Sequence, residues 1–478
     1  MAELRASRQQ NTSHRMVAAM NINSETSRIR AGLVNCGHYS FEEAERKLES
    51  LSLAIHVGAD AAGTVAGQAA ALTAVLTASR CFLGGVTLSG VVDRPLRVPL
   101  PWTAANLQEA ACMLGASTKL GTRPQRTIVL GSGEPVRGWS VRALWNGWSA
   151  GVAPASEKNA YLGRGDSALA GIAAGALAVS HAFLAEQDDP RAGRVTQGVS
   201  LWAPDAGQAW WKDDGPEGYY LPTGLWLIGL GNLGQAYLWA LSCLPYADSN
   251  SLELFFQDDD LVAKENWGTS ILVKRERYGV LKTRIAEEWA DGRGFRSRRI
   301  DRRLDADLRR TDREPGIAMA GLDKMPPRRL LGRPGFDYII DAGLGATARD
   351  YRKFRVNAFN HSQDPASHFE GVEDTTQRNI EEVMSLPAYQ KAALDGYTDG
   401  CGLAQLAGQS VAAPFVSAFV GALVVAQAIR LASSQAPYFS IVGDLDDVRS
   451  IRAVLGSTPG RTIVGHSKML SEGNGVSP

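Results

Sequence analysis

The chain is expected to be an α/β protein with two Rossmann-like domains in tandem, related by a pseudo-twofold, the first of them degenerate. Three observations lead there. A strand, a glycine-rich turn and a helix follow one another in "LWLIGLGNLGQAYLW"; the same layout occurs earlier in "LSLAIHVGADAAGTVAGQAAALTAVLTAS"; and two late apolar helices align without gaps. Glycines at i, i+2 and i+5 between strand and helix let backbone approach a phosphate, and the helix N-terminus offers it unpaired N–H donors.

Composition sets the frame. A chain of 478 residues accommodates two or three domains. Its 45% hydrophobic and 21% charged content is ordinary for a folded protein. A formal net charge of +0 points to neither nucleic acid nor a membrane as partner. The N-terminal "MAELRASRQQNTSHR" has no signal-peptide apolar core. Cys36, Cys81, Cys112, Cys243 and Cys401 form no C-x-x-C pair, so no structural zinc is expected, and reduced thiols in a cytoplasmic protein are. Apolar segments from Ser167 and from Val411 carry Ser180, His181, Ser417 and Gln427, and are expected as buried helices rather than membrane spans.

The elements follow in order. Residues 1–49 form an N-terminal arm, and 50–190 the first domain. There Gly58 and Gly63 match the outer glycines of the turn, while Asp60 takes the middle place. A carboxylate at that point repels a phosphate and blocks close backbone approach. The next strand runs to Asp93, and the late helix includes "AGALAVSHAFL". Residues 191–222 read as a linker anchored by its aromatics.

The second domain, 223–350, has Gly229, Gly231 and Gly234 at the turn. Asp258 closes the following strand 24 residues after Gly234 (258 − 234), where a carboxylate accepts ribose hydroxyls. Asp260 and Asn266 come next, and Lys282 stands on an amphipathic helix 16 residues after Asn266 (282 − 266). Residues 351–410 carry Cys401. Residues 411–456 supply a closing helix and strand, "VGALVVAQAIR" placing Gly421 opposite Gly175. The Ser- and Gly-rich tail, 457–478, is expected to fray. Nine arginines between Arg293 and Arg313, interleaved with aspartates, read as a solvated, salt-bridged face.

The constellation "GLGNLG", "DDD", Asn266, Lys282 and "FDYIIDAG" with Asp341 resembles the E1-like (ThiF-type) adenylyltransferase superfamily over roughly Leu225 to Ala432. Within it the chain is most similar to the E1-like proteins of bacterial ubiquitin-like conjugation operons, the Bil type of antiphage defence. The resemblance implies two adenylation domains, the second active, and a carrier carboxylate that attacks the α-phosphate of ATP. It also implies ATP at Gly229, Gly231, Gly234, Asp258, Asp260, Asn266 and Lys282, with Lys282 catalytic and Mg²⁺ at Asp341. Two positions depart from the family pattern: Thr269 in "NWGTS" replaces an arginine, and Leu344 in "DAGLG" replaces a metal-binding aspartate. Arg275 or Arg277, and Asp260 or Asp341, are the candidate substitutes.

Further expectations come with the resemblance. Cys401, between Gly400 and Gly402 and ahead of a helix beginning near Leu403, matches the acceptor-loop region for a thioester. The partners would be a ubiquitin-like carrier and an E2-like protein. The two domains would make a dimer-like pair within one chain, and Arg28 or Arg30 would reach across to the ATP. The alternatives are a sulfur-carrier activator without thioester transfer, a scaffold that binds a ubiquitin-like protein, and a nicotinamide dehydrogenase.

Overall fold

The computed structural model describes residues 24–117, 124, 126–134, 138–157, 165–212, 215–372, 376–395, 400–457 and 469–471; the side chains of 376–379, 400–402 and 469–471 are outside that description. The N-terminal residues 1–23 and most of the tail beyond 457 therefore lie outside the described residues.

The first sheet is built from β1 (Ser52–Val57), β2 (Gly85–Gly90), β3 (Arg126–Leu130), β4 (Trp139–Asn146), β5 (Ser149–Pro154) and β6 (Gln197–Ser200). After β7 (Gly218–Tyr220) come β8 (Gly224–Ile228), β9 (Glu253–Gln257), β10 (Arg296–Ile300), β11 (Ile317–Ala320) and β12 (Tyr338–Leu344). The second sheet is completed by β13 (Lys353–Asn360), β14 (Tyr438–Asp444) and β15 (Arg452–Leu455), while β16 (Met469–Ser471) pairs only with β7.

Their order establishes the repeat. The first sheet runs β2-β1-β3-β4-β5-β6 and the second β10-β9-β8-β11-β12-β13-β14-β15. With the outer strands β10 and β15 set aside, the two orders are the same. In each, the first strands are parallel and the last two antiparallel. Two Rossmann-like α/β sheets are therefore present, as the paired glycine turns led one to expect.

Domain edges differ from the sequence reading. Residues 191–222 contribute β6, so they complete the first sheet and are not a plain linker. Likewise β13, within the expected cysteine-bearing segment, is an interior strand of the second sheet. Short strands such as "QGVS" carry no periodic signal of their own; their neighbours in the sheet make them strands. The aromatics of 191–222 do pack inward: Trp202 and Tyr219 stand 4.9 and 5.0 Å from Trp148, centroid to centroid.

Between the sheets lies a helical layer. Helix Val65–Ala78 follows β1 and is capped by Thr64, whose hydroxyl accepts from Gly67 N at 3.0 Å. Helix Asn232–Ser242 follows β8. The late helices, Ala168–Ala185 and Pro414–Ala432, precede β6 and β14. Both are long and apolar enough to cross a membrane, yet 100% and 94% of their apolar windows are buried in the protein. A helix apolar all round needs partners on every side, and here other helices and the sheets supply them.

Small residues set the spacing in this layer. A Cβ on Gly175 would stand 2.3 Å from the carbonyl oxygen of Ala70, and one on Gly421 would stand 2.8 Å from that of Ala236. Each half therefore clamps its late helix against the helix leaving its turn, by a glycine at the aligned position. Trp239 Nε1 donates to Thr73 Oγ1 at 2.9 Å, a buried bond that joins the two halves.

Gly175→Val forces branched carbons into the Ala70 backbone, which cannot move aside as a flexible side chain would. Denaturant unfolding is expected to show a loss of about 2–3 kcal/mol. A Gly175→Val variant as stable as the native chain would contradict the close-approach account.

Candidate nucleotide site

The site forms where β8 ends. Gly229 has φ +82°, a left-handed conformation that favours glycine. Its N–H donates to Gln257 O at 2.9 Å. Gly231 occupies the N-cap of helix Asn232–Ser242, no side chain caps it, and a Cβ there would meet nothing within 4 Å. Gly234 packs so tightly that a Cβ would lie 2.2 Å from Gly229 O. One glycine makes the turn, one leaves an open approach to the helix N-terminus, and one lets the helix sit on the turn.

Asp258 follows β9 and faces this turn. Its Oδ2 accepts Leu230 N at 2.6 Å and its Oδ1 accepts Asp260 N at 2.8 Å. Burial pushes its pKa above the ordinary 3.8, against the opposing pull of Lys282 and the two N–H donors. Lys282 opens helix Lys282–Gly292. Its Nζ lies 2.6 Å from Asp260 Oδ2 and 4.0 Å from Asp258 Oδ1. Partial burial pushes Asp260 up too, but the Lys282 hydrogen bond, with the charges of Lys282, Arg303 and Lys324, outweighs this and holds it below 3.8. The glycine turn, Asp258, Asp260 and Lys282 thus converge.

Oxygens of Asp258, Asp259 and Asp260 lie within 4.8 Å of one another. Arg303 binds Asp259 at 2.8 Å and Lys282 binds Asp260, so this cluster is already charge-matched. Asn266 is 8% exposed, and its Oδ1 accepts Ala263 N at 2.8 Å, closing a turn. Only its amide nitrogen remains for the phosphate-side role.

Several expectations need correction. Asp341 is 0% exposed in β12, and Arg328 donates to both its oxygens, through Nε at 3.1 Å and through an Nη. The ring of Phe369 stands 4.7 Å from that guanidinium. A divalent cation would have to displace this buried bidentate pair, so Asp341 does not fit as an open Mg²⁺ ligand. Arg275 binds Glu25 at 2.8 Å and Arg277 binds Glu288, so either would have to leave that partner to replace the arginine missing at Thr269. Thr269 itself is fully buried, its hydroxyl without a partner among the described residues.

Of the two arginines expected to reach across, Arg30 is 3% exposed, bonded to Glu45 at 3.0 Å and set over Phe41. That arginine is held in the arm and cannot serve. Arg28 is half-buried and makes no ion pair among the described residues. Cys401 lies in helix Gly400–Ala407, which begins ahead of the cysteine rather than near Leu403; its side chain lies outside the described residues.

In the first half the N-terminus of helix Val65–Ala78 is closed by Thr64, which accepts Gly67 N at 3.0 Å, and by Asp166, which accepts Ala66 N at 2.7 Å. Asp60 lies in the short helix Ala59–Ala62 just before it. Its carboxylate accepts from Ser132 N at 2.9 Å and from Ser132 Oγ at 2.8 Å, just past β3. The protein's own anion thus takes donors at the mouth of that turn. Two residues of the second site were not singled out from sequence. Arg328 gave no signal. Gln235, a polar residue in an apolar helix, links the turn to the next loop: its Nε2 donates to Leu230 O at 3.2 Å and its Oε1 accepts Leu272 N at 2.9 Å.

Comparison with known proteins adds a family. A family model described as the BilD C-terminal domain matches residues 221–435, and one described as the BilD N-terminal domain matches 52–201. A protein named bacterial E1-like protein BilD, from Collimonas sp. (strain OK412), is 35% identical over 396 residues, 82% of this chain and 85% of that one. Among solved structures, E. coli MccB with MccA-N7isoASN is 15% identical at a TM-score of 0.32 over 51% of this chain; this chain spans just under two thirds of that one, 66%. E. coli MccB with ATP is 16% identical at a TM-score of 0.31, covering 51% and 66%. Structural likeness at that level adds no weight below.

Removing Arg328 leaves a buried carboxylate alone. Arg328→Met is expected to destabilise the fold by about 3–5 kcal/mol near neutral pH. Burial already raises Asp341 above 3.8, and without Arg328 it rises further. Between the unfolded and folded values the folded variant binds more protons, so its stability improves as pH falls. Unfolding curves at about pH 8 and about pH 5 should therefore show a smaller deficit at the acid end. An equal deficit at both would contradict the assignment of an unpaired carboxylate.

Proposed function

The chain belongs to the BilD family of bacterial E1-like proteins, and from that premise we propose an ATP-dependent activating enzyme that adenylates the C-terminus of a ubiquitin-like protein. The observation that carries the reading is Lys282 poised over Asp258 and Asp260 at the open N-terminus after Gly231. ATP would lie with its phosphates over Gly229, Gly231 and Gly234, its ribose on Asp258, and Asn266 beside the phosphates. Attack of the carrier carboxylate on the α-phosphorus brings two anions together and expels pyrophosphate. Positive charge and N–H dipoles fixed beforehand favour that charge in the transition state. Lys282 would turn from Asp260 to the phosphates as they enter. Mg²⁺ would arrive with the nucleotide, since Asp341 is closed by Arg328.

Two further elements of the reading concern the carrier. The Cys401 thiolate would attack the acyl-adenylate carbonyl and release AMP, and the thioester would pass to an E2-like protein, in the cytoplasm and in antiphage defence. Arg28 is the arginine we assign to reach the nucleotide. Glu25, three residues before it, passes so close to the site loop that a Cβ on Gly268 would stand 2.4 Å from Glu25 O. A non-catalytic scaffold is the second reading, favoured by the closed Asp341 and by Thr269 in an arginine's place.

With ATP, Mg²⁺ and the ubiquitin-like protein of the same operon, the chain is expected to catalyse pyrophosphate exchange and to form a thiol-sensitive adduct. Lys282→Ala should lower exchange by about 10²-fold or more. Cys401→Ala should keep exchange and lose the adduct. Absence of exchange in the unmodified chain would sink the activating reading and leave the scaffold; an adduct surviving Cys401→Ala would remove the cysteine from the scheme.

A further inference from the structure

One cation in the helical layer has no role in the site described above. Arg80 lies just beyond helix Val65–Ala78, in the degenerate half, and is 7% exposed. Among the described residues its guanidinium makes no ion pair; it crosses to the other half and donates to carbonyls. Nη1 reaches Trp267 O at 3.1 Å, and Nη2 reaches Ile271 O at 3.2 Å and Val273 O at 3.0 Å. The Trp267 ring stands 4.6 Å below it, with Arg275 4.2 Å from the same ring. Burial, together with the charge of Arg275, lowers its pKa to about 10. A buried charge without a counter-ion is unfavourable unless its donors are well used. Here they draw three separate carbonyls of one irregular loop to a single planar fork.

That loop is the one that supports the glycine turn. It begins at Asn266, whose carbonyl accepts Thr269 N at 3.2 Å and Ser270 N at 2.7 Å. Ser270 Oγ then donates to Asn232 Oδ1 at 3.0 Å, on the first residue after Gly231. Leu272 N donates to Gln235, which in turn holds Leu230 O inside the turn. A continuous path of bonds thus runs from Arg80 through residues 267–273 to Leu230 and Asn232, on either side of Gly231.

We propose that Arg80 is a positioning residue for the nucleotide site, by which the degenerate half holds the loop 267–273 against the glycine turn of the other half. It touches no nucleotide and acts through Ser270 and Gln235. The inference rests on the reading that ATP binds at Gly229–Gly234.

Equilibrium binding of a non-hydrolysable ATP analogue to the full chain tests it. Arg80→Met, which keeps the apolar stem, should weaken binding about tenfold, equivalent to about 1.4 kcal/mol. The control is Arg293→Met. Arg293 also donates to carbonyls, Ser242 O at 2.8 Å and Leu244 O at 3.3 Å, but at the far end of helix Asn232–Ser242. That variant should lose stability and leave analogue affinity unchanged. Ser270→Ala with Gln235→Met cuts both branches of the path, so in that background Arg80→Met should weaken binding much less than tenfold. Should Arg80→Met fail to fold, Arg80→Lys takes its place, since one ammonium cannot span the three carbonyls, and the same weakening is expected. Unchanged affinity in the folded Arg80 variant, or full additivity with the Ser270→Ala, Gln235→Met pair, overturns the inference while leaving the ATP reading intact. An unmodified chain that binds no analogue overturns both.

Discussion

The contact on which the rest of the molecule depends is that of Gly421 against Ala236 and Gly175 against Ala70. A β-carbon at either glycine would lie inside van der Waals distance of a carbonyl oxygen, 2.8 and 2.3 Å respectively. Each contact brings a buried, apolar late helix down onto the helix that leaves a turn. Both late helices then face one another in a layer shared by the two sheets. This layer fixes where helix Asn232–Ser242 points, and so where its uncapped N-terminus opens. It also places the end of helix Val65–Ala78, with Arg80, beside the loop that follows Asn266.

The same strand order occurs twice, with turns of opposite chemistry. In the second half Gly231 leaves space and N–H donors, with Asp258 and Lys282 on the rim. In the first half Asp60 supplies the anion internally and bonds to Ser132. Thr64 and Asp166 occupy the N–H groups that open the first half's helix, so that turn is a closed structural corner. The closed corner still has a use, because its domain carries half of the helical layer and reaches the working site through Trp239–Thr73 and Arg80.

Much of this was legible in the residues. Glycine spacing marked both turns, because only glycine satisfies the φ of +82° at Gly229 and the 2.2 Å approach at Gly234. The gap-free alignment of Gly175 with Gly421 was legible because close packing restricts residue size. Asp258, Asp260 and Lys282 do come together, since the strand end and the next helix are local to the turn. What was not legible depends on partners distant in sequence. The strands β6 and β13 exist through their sheet neighbours. Asp341 was expected to hold Mg²⁺, yet Arg328 closes it, and Arg30 was a candidate to reach the ATP, yet Glu45 and Phe41 bury it. Arg80, in "TASRCFL", gave no sign that its carbonyl partners lie nearly two hundred residues on, |i−j| of 187 to 193.

The central claim is that, of two like folds, the one whose helix N-terminus is left open at Gly231 holds the nucleotide, and the one closed by Thr64 and Asp166 does not. Calorimetric titration of the chain with an ATP analogue, read as stoichiometry, measures it directly. One site per chain is the result expected, abolished by Gly231→Asp, which puts a carboxylate at that N-terminus, and unaffected by Asp60→Gly. Two sites per chain, or a single site that survives Gly231→Asp and vanishes with Asp60→Gly, would contradict it.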